Sequence, residues 1–169
     1  MAAYRTSLER FVYQTGMVMR PVYAAAKAVA PGLKRVAYAE GEEEVVLRAV
    51  QTVIDEGVAF PILIGRPDVI EARIERLGLR MKAGVDFEIT NQNDDPRYQD
   101  YWQHYHALTA RRGVTPAAAK NLMRSRPTLI ASVMVARCHA DALITAIVGP
   151  FHKNLGYARS LIPLDPGVQ

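Results

Sequence analysis

Cysteine is almost missing from this 169-residue sequence: Cys138 is the single one. A disulfide needs two, so no internal disulfide framework holds the fold, and a reducing, cytosolic setting is the expectation. Cys138 itself reads as a small buried residue. Long apolar runs are also lacking. No stretch reaches the roughly 20 residues of a membrane-spanning helix, and the N-terminus has no continuous apolar core of a signal peptide. Charge of one sign is scarce too. Twenty-one Lys and Arg against 17 Asp and Glu leave +4, and the charges are interspersed. Basic runs and arginine–aromatic interleaving, the footprint of nucleic-acid binders, do not occur. Neither nucleic acid nor a membrane is an expected partner. Familiar chemical signatures are absent as well: no Gly-x-Gly-x-x-Gly behind a strand, no Walker lysine loop, no Gly-x-Ser-x-Gly elbow. His104 and His106 lie two apart on a predicted helix and so point to different faces, whereas a two-histidine metal site needs spacing of four. No metal site is expected.

Half of the residues are hydrophobic, enough for one packed domain. The organising stretch is Val36 to Gly57. A short apolar run, Val36–Ala39, breaks at Glu40-Gly41. Glu42, Glu43 and Glu44 follow, where a helix's positive end favours acidic residues. Val45, Val46, Ala49, Val50, Val53 and Ile54 then make a helical stripe, and Gly57 suits the residue past the helix end. A second strand is predicted at Ile62–Ile64. The next helix starts at Pro67, carries Val69, Ile70, Ile74 and Leu77 on one face, and ends at Gly78. Strand, helix, strand in this order is a βαβ unit.

The remaining chain extends the sheet. Leu79 to Asp86 reads as a loop, Phe87–Thr90 as a third strand, and Asn93 to Pro96 as a turn. A helix from Pro96 to Arg112 follows, with Tyr98, Tyr101, Trp102, Tyr105 and Leu108 at helical spacing, suited to packing or to a partner. Thr115-Pro116 caps another helix, and Pro127–Ala136 is apolar nearly all round. A fourth strand is predicted at Leu143–Val148, ended by Gly149-Pro150. Ahead of the sheet, Tyr4–Gly16 and Pro21–Ala30 read as two helices. The predicted class is α/β: a three-layer αβα fold with an open, mostly parallel sheet of about four strands. The predicted divisions are a helical linker or docking segment at 1–32, the α/β lobe at 33–150, and an irregular tail at 151–169.

Candidate ligand groups sit where strands should end: Glu40 and Gly41, Gly65 and Arg66, Asn91 and Gln92, and Gly149 to Asn154 with His152 and Lys153. In an open α/β sheet these carboxyl ends form the ligand crevice, and helix N-termini there suit phosphate groups. Every α/β protein has such turns, so each group also has a plain structural explanation.

Several stretches carry a resemblance: residues 36–51, Pro61–Pro67, Ile70–Leu79, Asp94–Tyr98 and Arg111–Pro116. Together they resemble the phosphate acetyltransferase-like domain at the C-terminal end of large bacterial NADP-dependent malic enzymes. Leu8 to Val22 is similar to the segment joining the malic domain to it. The resemblance spans about Tyr4 to Val148. It implies a fold of two α/β lobes with an acyltransferase cleft between them, of which this sequence matches the first. The family's most telling catalytic groups belong to the second lobe. After the fourth strand the family carries Ser-Gly-Ala, a His-Ser/Thr pair and an arginine. Here Thr145 to Lys153 replaces that pattern, Gly156 stands at the arginine position, and Val46 stands where the first helix often has an arginine.

The resemblance therefore implies a non-catalytic regulatory and oligomerisation module that senses acetyl-CoA. Glu40, Gly41, Gly149, His152 and Lys153 are its expected acetyl-CoA or phosphate contacts. It also implies a homo-oligomer, dimer or larger, partnered with a malic enzyme catalytic domain. NADP and a divalent metal would belong to that domain, which turns malate into pyruvate and CO2. The alternative is an acyltransferase lobe active only beside a second lobe. A structural fragment without a ligand is the third reading.

Overall fold

Side chains on a strand alternate between its two faces, and this alternation sorts the core into two halves. The computed structural model describes residues 16–28, 32–163 and 167. Its strands are β1 (Arg35–Tyr38), β2 (Phe60–Ile64), β3 (Glu88–Thr90) and β4 (Ala142–Ile144). They form one sheet in the order β3-β2-β1-β4, and every pairing is parallel, with Val36 opposite Pro61 and Ala142. Ala37, Ala39, Ile62 and Ile64 face one way, into a cluster with Tyr101, Met123, Leu129 and Met134. Tyr38 and Leu63 face the other way, against Val46, Leu47, Val50, Ile70 and Phe87.

The helices divide accordingly. Residues 16–27 form α1 ahead of the sheet. Helices α2 (Glu44–Glu56) and α3 (Pro67–Arg76) cover one face. Helices α4 (Tyr98–Thr109), α5 (Pro116–Ser125), α6 (Pro127–Ala136) and α7 (Phe151–Leu161) cover the other. This is the expected three-layer αβα architecture. Helix α6 is buried on nearly every side, as its composition requires: Thr128 through Met134 are all buried. Gly57 closes α2 in the left-handed conformation, with its N–H and that of Val58 donating to Ile54 and Val53. Thr115 caps α5 by accepting a hydrogen bond from the Ala118 N–H at 3.2 Å. The aromatic stripe of α4 splits: Tyr101 and Tyr105 are buried, Trp102 is half-buried under the Lys120 ammonium, and Leu108 is exposed.

Several expectations need correction. Residues 151–169 are not wholly irregular, because α7 occupies Phe151–Leu161. Half-buried or buried Asn154, Leu155, Tyr157, Ala158 and Leu161 within it, and Ile162 just past it, recur at helical spacing. The fourth strand ends at Ile144 instead of Val148, because Thr145 and Ala146 turn away to bond Glu40. Cys138 is exposed, not buried. It holds the left-handed position after α6 at φ 57°. Its N–H donates to Val135, and that of His139 donates to Met134, the bonding usually built around glycine. Finally, the helix predicted from Pro96 to Arg112 starts at Tyr98 and ends in a 3-10 turn, Ala110–Arg112. The helix predicted at Tyr4–Gly16 lies outside the described residues up to residue 15, as does the end of the next at Ala30; α1 already includes residues 16–20, so the second helix does not begin at Pro21.

Candidate functional site at the carboxyl edge of the sheet

The chain runs from β1 to β2 to β3 in one direction, then returns to place β4 on the other side of β1. The order reverses between β1 and β4, and open parallel sheets hold ligands beyond such a reversal. A cleft of about 570 Å³ opens there, within the size range of small-molecule sites. Its floor is Ala39 and Glu40 after β1, Gly65 and Arg66 after β2, and Gln92 and Asn93 after β3. Its walls are Glu42 and Glu43 ahead of α2, Ser125 to Thr128 where α5 gives way to α6, and Val148, Gly149, Pro150, Lys153 and Asn154 around the start of α7.

The β1 and β2 turns are locked together. Gly41 donates its N–H to the Ile64 carbonyl at 3.1 Å. A Cβ on Gly41 would stand 2.9 Å from both the nitrogen and the oxygen of Ile64, so glycine is required by space alone. Glu42 grips Arg66: its Oε1 accepts from the Arg66 backbone N–H at 3.0 Å and from Nε at 2.9 Å, and its Oε2 accepts from the guanidinium at 2.8 Å. These hydrogen bonds from Arg66 hold the Glu42 carboxyl below the usual carboxylate range. Arg73 also donates to the Glu42 carbonyl. The end of β3 is fixed by Arg97, which donates to Thr90 Oγ1 at 3.2 Å and to Glu88 at 3.1 Å while forking onto Asp95.

The opposite wall differs. One oxygen of Glu40 accepts from the Thr145 hydroxyl at 3.2 Å and from the Ala146 N–H at 3.0 Å. Thr145 and Thr128 hydroxyls lie 2.8 Å apart, and Asn154 Nδ2 donates to the Val148 carbonyl at 3.1 Å. Lys153 and Arg126 line this side beside the N-termini of α7 and α6. Cations and helix N-termini together suit an anionic group. On the floor one oxygen of Glu40 is engaged within the chain, and ahead of α2 both oxygens of Glu42 are. Gln92 offers a contrast: its Oε1 is the one buried side-chain oxygen or nitrogen among the described residues without a partner.

The structure therefore brings Glu40, Gly149 and Lys153 to one cleft. Gly41 lies behind the floor, packed on Ile64, and exposed His152 is not among the lining residues. Sequence reasoning missed the Ser125–Thr128 corner. The available signal was Arg126-Pro127, a cation directly before a proline at the first position of a helix that must enter the core.

Residues 17–169 match the family model described as "Phosphate acetyl/butaryl transferase". The NADP-dependent malic enzyme of Haemophilus influenzae is 47% identical over 167 residues, which is 99% of this chain and 22% of that protein. The NADP-dependent malic enzyme of Escherichia coli is 46% identical over 165 residues, 98% of this chain and 21% of that protein. A phosphate acetyltransferase of Nitratidesulfovibrio vulgaris is 31% identical over 134 residues, 79% of this chain and 18% of its own. The chain thus spans about a fifth of the length of the curated relatives it matches. Among solved structures, the EutD phosphotransacetylase from Staphylococcus aureus superposes with a TM-score of 0.77 over 89% of this chain and 44% of its own, at 20% identity. That likeness concerns the fold.

Proposed function

The chain belongs to the phosphate acetyl/butaryl transferase family, corresponding to the phosphate acetyltransferase-like part of bacterial malic enzymes, and from that premise we propose that it is a regulatory and oligomerisation module. In this reading it binds acetyl-CoA in the carboxyl-edge cleft without turning it over. The observation that carries the reading is how charge is distributed around the cleft. Lys153, Arg126 and two helix N-termini line one wall, suited to phosphate groups. Of the first groups to consider as proton acceptors, Glu42 is held on both oxygens by Arg66 and Glu40 is held on one oxygen by Thr145 and Ala146. A group so engaged is poorly placed for general acid–base work. The module would act on a malic enzyme catalytic domain, with NADP and a divalent metal bound there.

Oligomerisation in this reading uses the outer face of α4. Helix α6, the other apolar candidate, is already covered within the lobe, which leaves half-buried Trp102 and exposed Leu108 as the available apolar surface of the stripe. A homodimer or larger assembly is expected by sedimentation, and Trp102→Glu should shift it toward monomer without unfolding it.

The test of the cleft is a calorimetric titration with acetyl-CoA beside an assay for acetyl phosphate formation from acetyl-CoA and phosphate. Saturable binding with no turnover above a heat-killed control is expected. Turnover would favour the second reading, an acyltransferase lobe, which rests on the similarity to phosphate acetyltransferases. Absence of binding would remove the sensing role.

A further inference from the structure

Helix α7 and its Lys153 reach the cleft at the end of a short strap, Thr145 to Pro150, that leaves β4. Apolar burial does not hold this strap: Ile147 is 48% exposed, Val148 53% and Phe151 66%. Its backbone is also unfavourable. Ala146 stands at φ 76°, in the left-handed region that residues with a Cβ enter only when something holds them there. Cys138 is the other such residue among the described ones, and it ends a helix with the bonding of a glycine cap. Ala146 ends no helix.

Hydrogen bonds are what remain. The Ala146 N–H donates to Glu40 Oε1 at 3.0 Å, and the Thr145 hydroxyl donates to the same oxygen at 3.2 Å. Downstream, Asn154 on α7 donates to the Val148 carbonyl at 3.1 Å, and the Lys153 N–H donates to the Pro150 carbonyl at 3.1 Å. The path from Glu40 to Lys153 is therefore continuous.

We propose that Glu40 is a positioning residue: its carboxylate latches the Thr145–Ala146 turn in a strained conformation and, through the strap, sets Lys153 at the cleft wall. Glu40 then shapes the far wall of the site as well as lining its floor. The ligand part of this inference rests on the acetyl-CoA reading above; the latch itself does not. Backbone strain persists where surrounding contacts over-determine it; here two of those contacts meet on one carboxylate oxygen, and the Thr128 hydroxyl adds a third at Thr145.

A double-mutant cycle tests the latch. Glycine adopts φ 76° without strain, so Ala146→Gly should make the turn less dependent on Glu40. Four proteins are compared by denaturant midpoint and by acetyl-CoA affinity: wild type, Glu40→Ala, Ala146→Gly and the double variant. Glu40→Ala should lower the midpoint and weaken acetyl-CoA by about tenfold. The double variant should recover most of both losses. Glu40→Gln, which keeps an acceptor oxygen, should stay near wild type. Should Glu40→Ala fail to fold, Thr145→Val opens the same cycle by removing one leg of the latch. Equal losses with and without Ala146→Gly would overturn the proposal, because a lost charge or lost packing at Glu40 would not be rescued by relieving Ala146. If the wild type binds no acetyl-CoA, the sensing role fails while the midpoint cycle still decides the latch.

Discussion

Two turns flank the cleft, and they are built on opposite principles. After β1, the chain is fixed by close backbone contact: Gly41 sits against Ile64, and Glu42 forks onto Arg66. After β4, the chain is loosely packed and strained, with Ala146 left-handed and three large apolar side chains exposed around it. The first turn is rigid because nothing else fits. The second keeps its shape through hydrogen bonds that a single substitution can remove. A cleft with one fixed and one releasable wall can respond to what it binds, which a cleft rigid on both sides cannot do.

The largest effect expected from this contrast is at Gly41. A Cβ there meets backbone atoms that cannot move alone, so Gly41→Ala should cost about 3 kcal/mol in chemical denaturation. Gly149, across the cleft, has open space around it and pays only for φ 86°. Gly149→Ala should therefore cost about 1 kcal/mol. Equal losses at the two glycines would break the comparison.

Glu42→Gln sharpens it through pH. The carboxyl of Glu42 is held below its ordinary value of 4.5 by the hydrogen bonds from Arg66. A carboxyl depressed in the folded state stabilises above its unfolded pKa, and that stability is lost as pH falls through the folded value. The stability gap between wild type and Glu42→Gln should thus hold from neutral pH down to about 4.5 and close below it. A gap that widens in acid would contradict the assignment. The smallest effect is expected at Thr128, whose hydroxyl meets Thr145 at 2.8 Å. Thr128→Val should cost about 0.5 kcal/mol, since Thr145 keeps its bond to Glu40.

The same contrast explains what could be read from the sequence. The βαβ unit was legible because sterics and patterning act locally there: apolar runs at β1 and β2, an acidic start to α2, and Gly57 and Gly78 at left-handed helix ends. Strand β4 was drawn too long because Thr145 to Val148 is apolar enough for a strand, while the force that bends it away comes from Glu40, more than 100 residues earlier. Long-range side-chain bonds leave no local pattern. Cys138 misled for a related reason. Its buried tendency is an average over cysteines, and here the left-handed position after α6 decides its exposure. Helix α7 escapes the sequence reading because the proline-rich finish makes the whole tail look irregular, although Leu155, Ala158, Leu161 and Ile162 carry the helical stripe. At the site, Glu40, Gly149 and Lys153 were found from strand ends alone; the α6 corner required knowing which helix points its N-terminus into the crevice.

The most direct measurement of the central claim is the affinity for acetyl-CoA of wild type against Lys153→Ala and Arg126→Ala, by calorimetry at fixed ionic strength. The account predicts one site per chain and a loss of about tenfold in each variant, the order expected for removing one charge-assisted contact to a phosphate. Wild-type affinity retained in both variants, or no binding by the wild type, would contradict it.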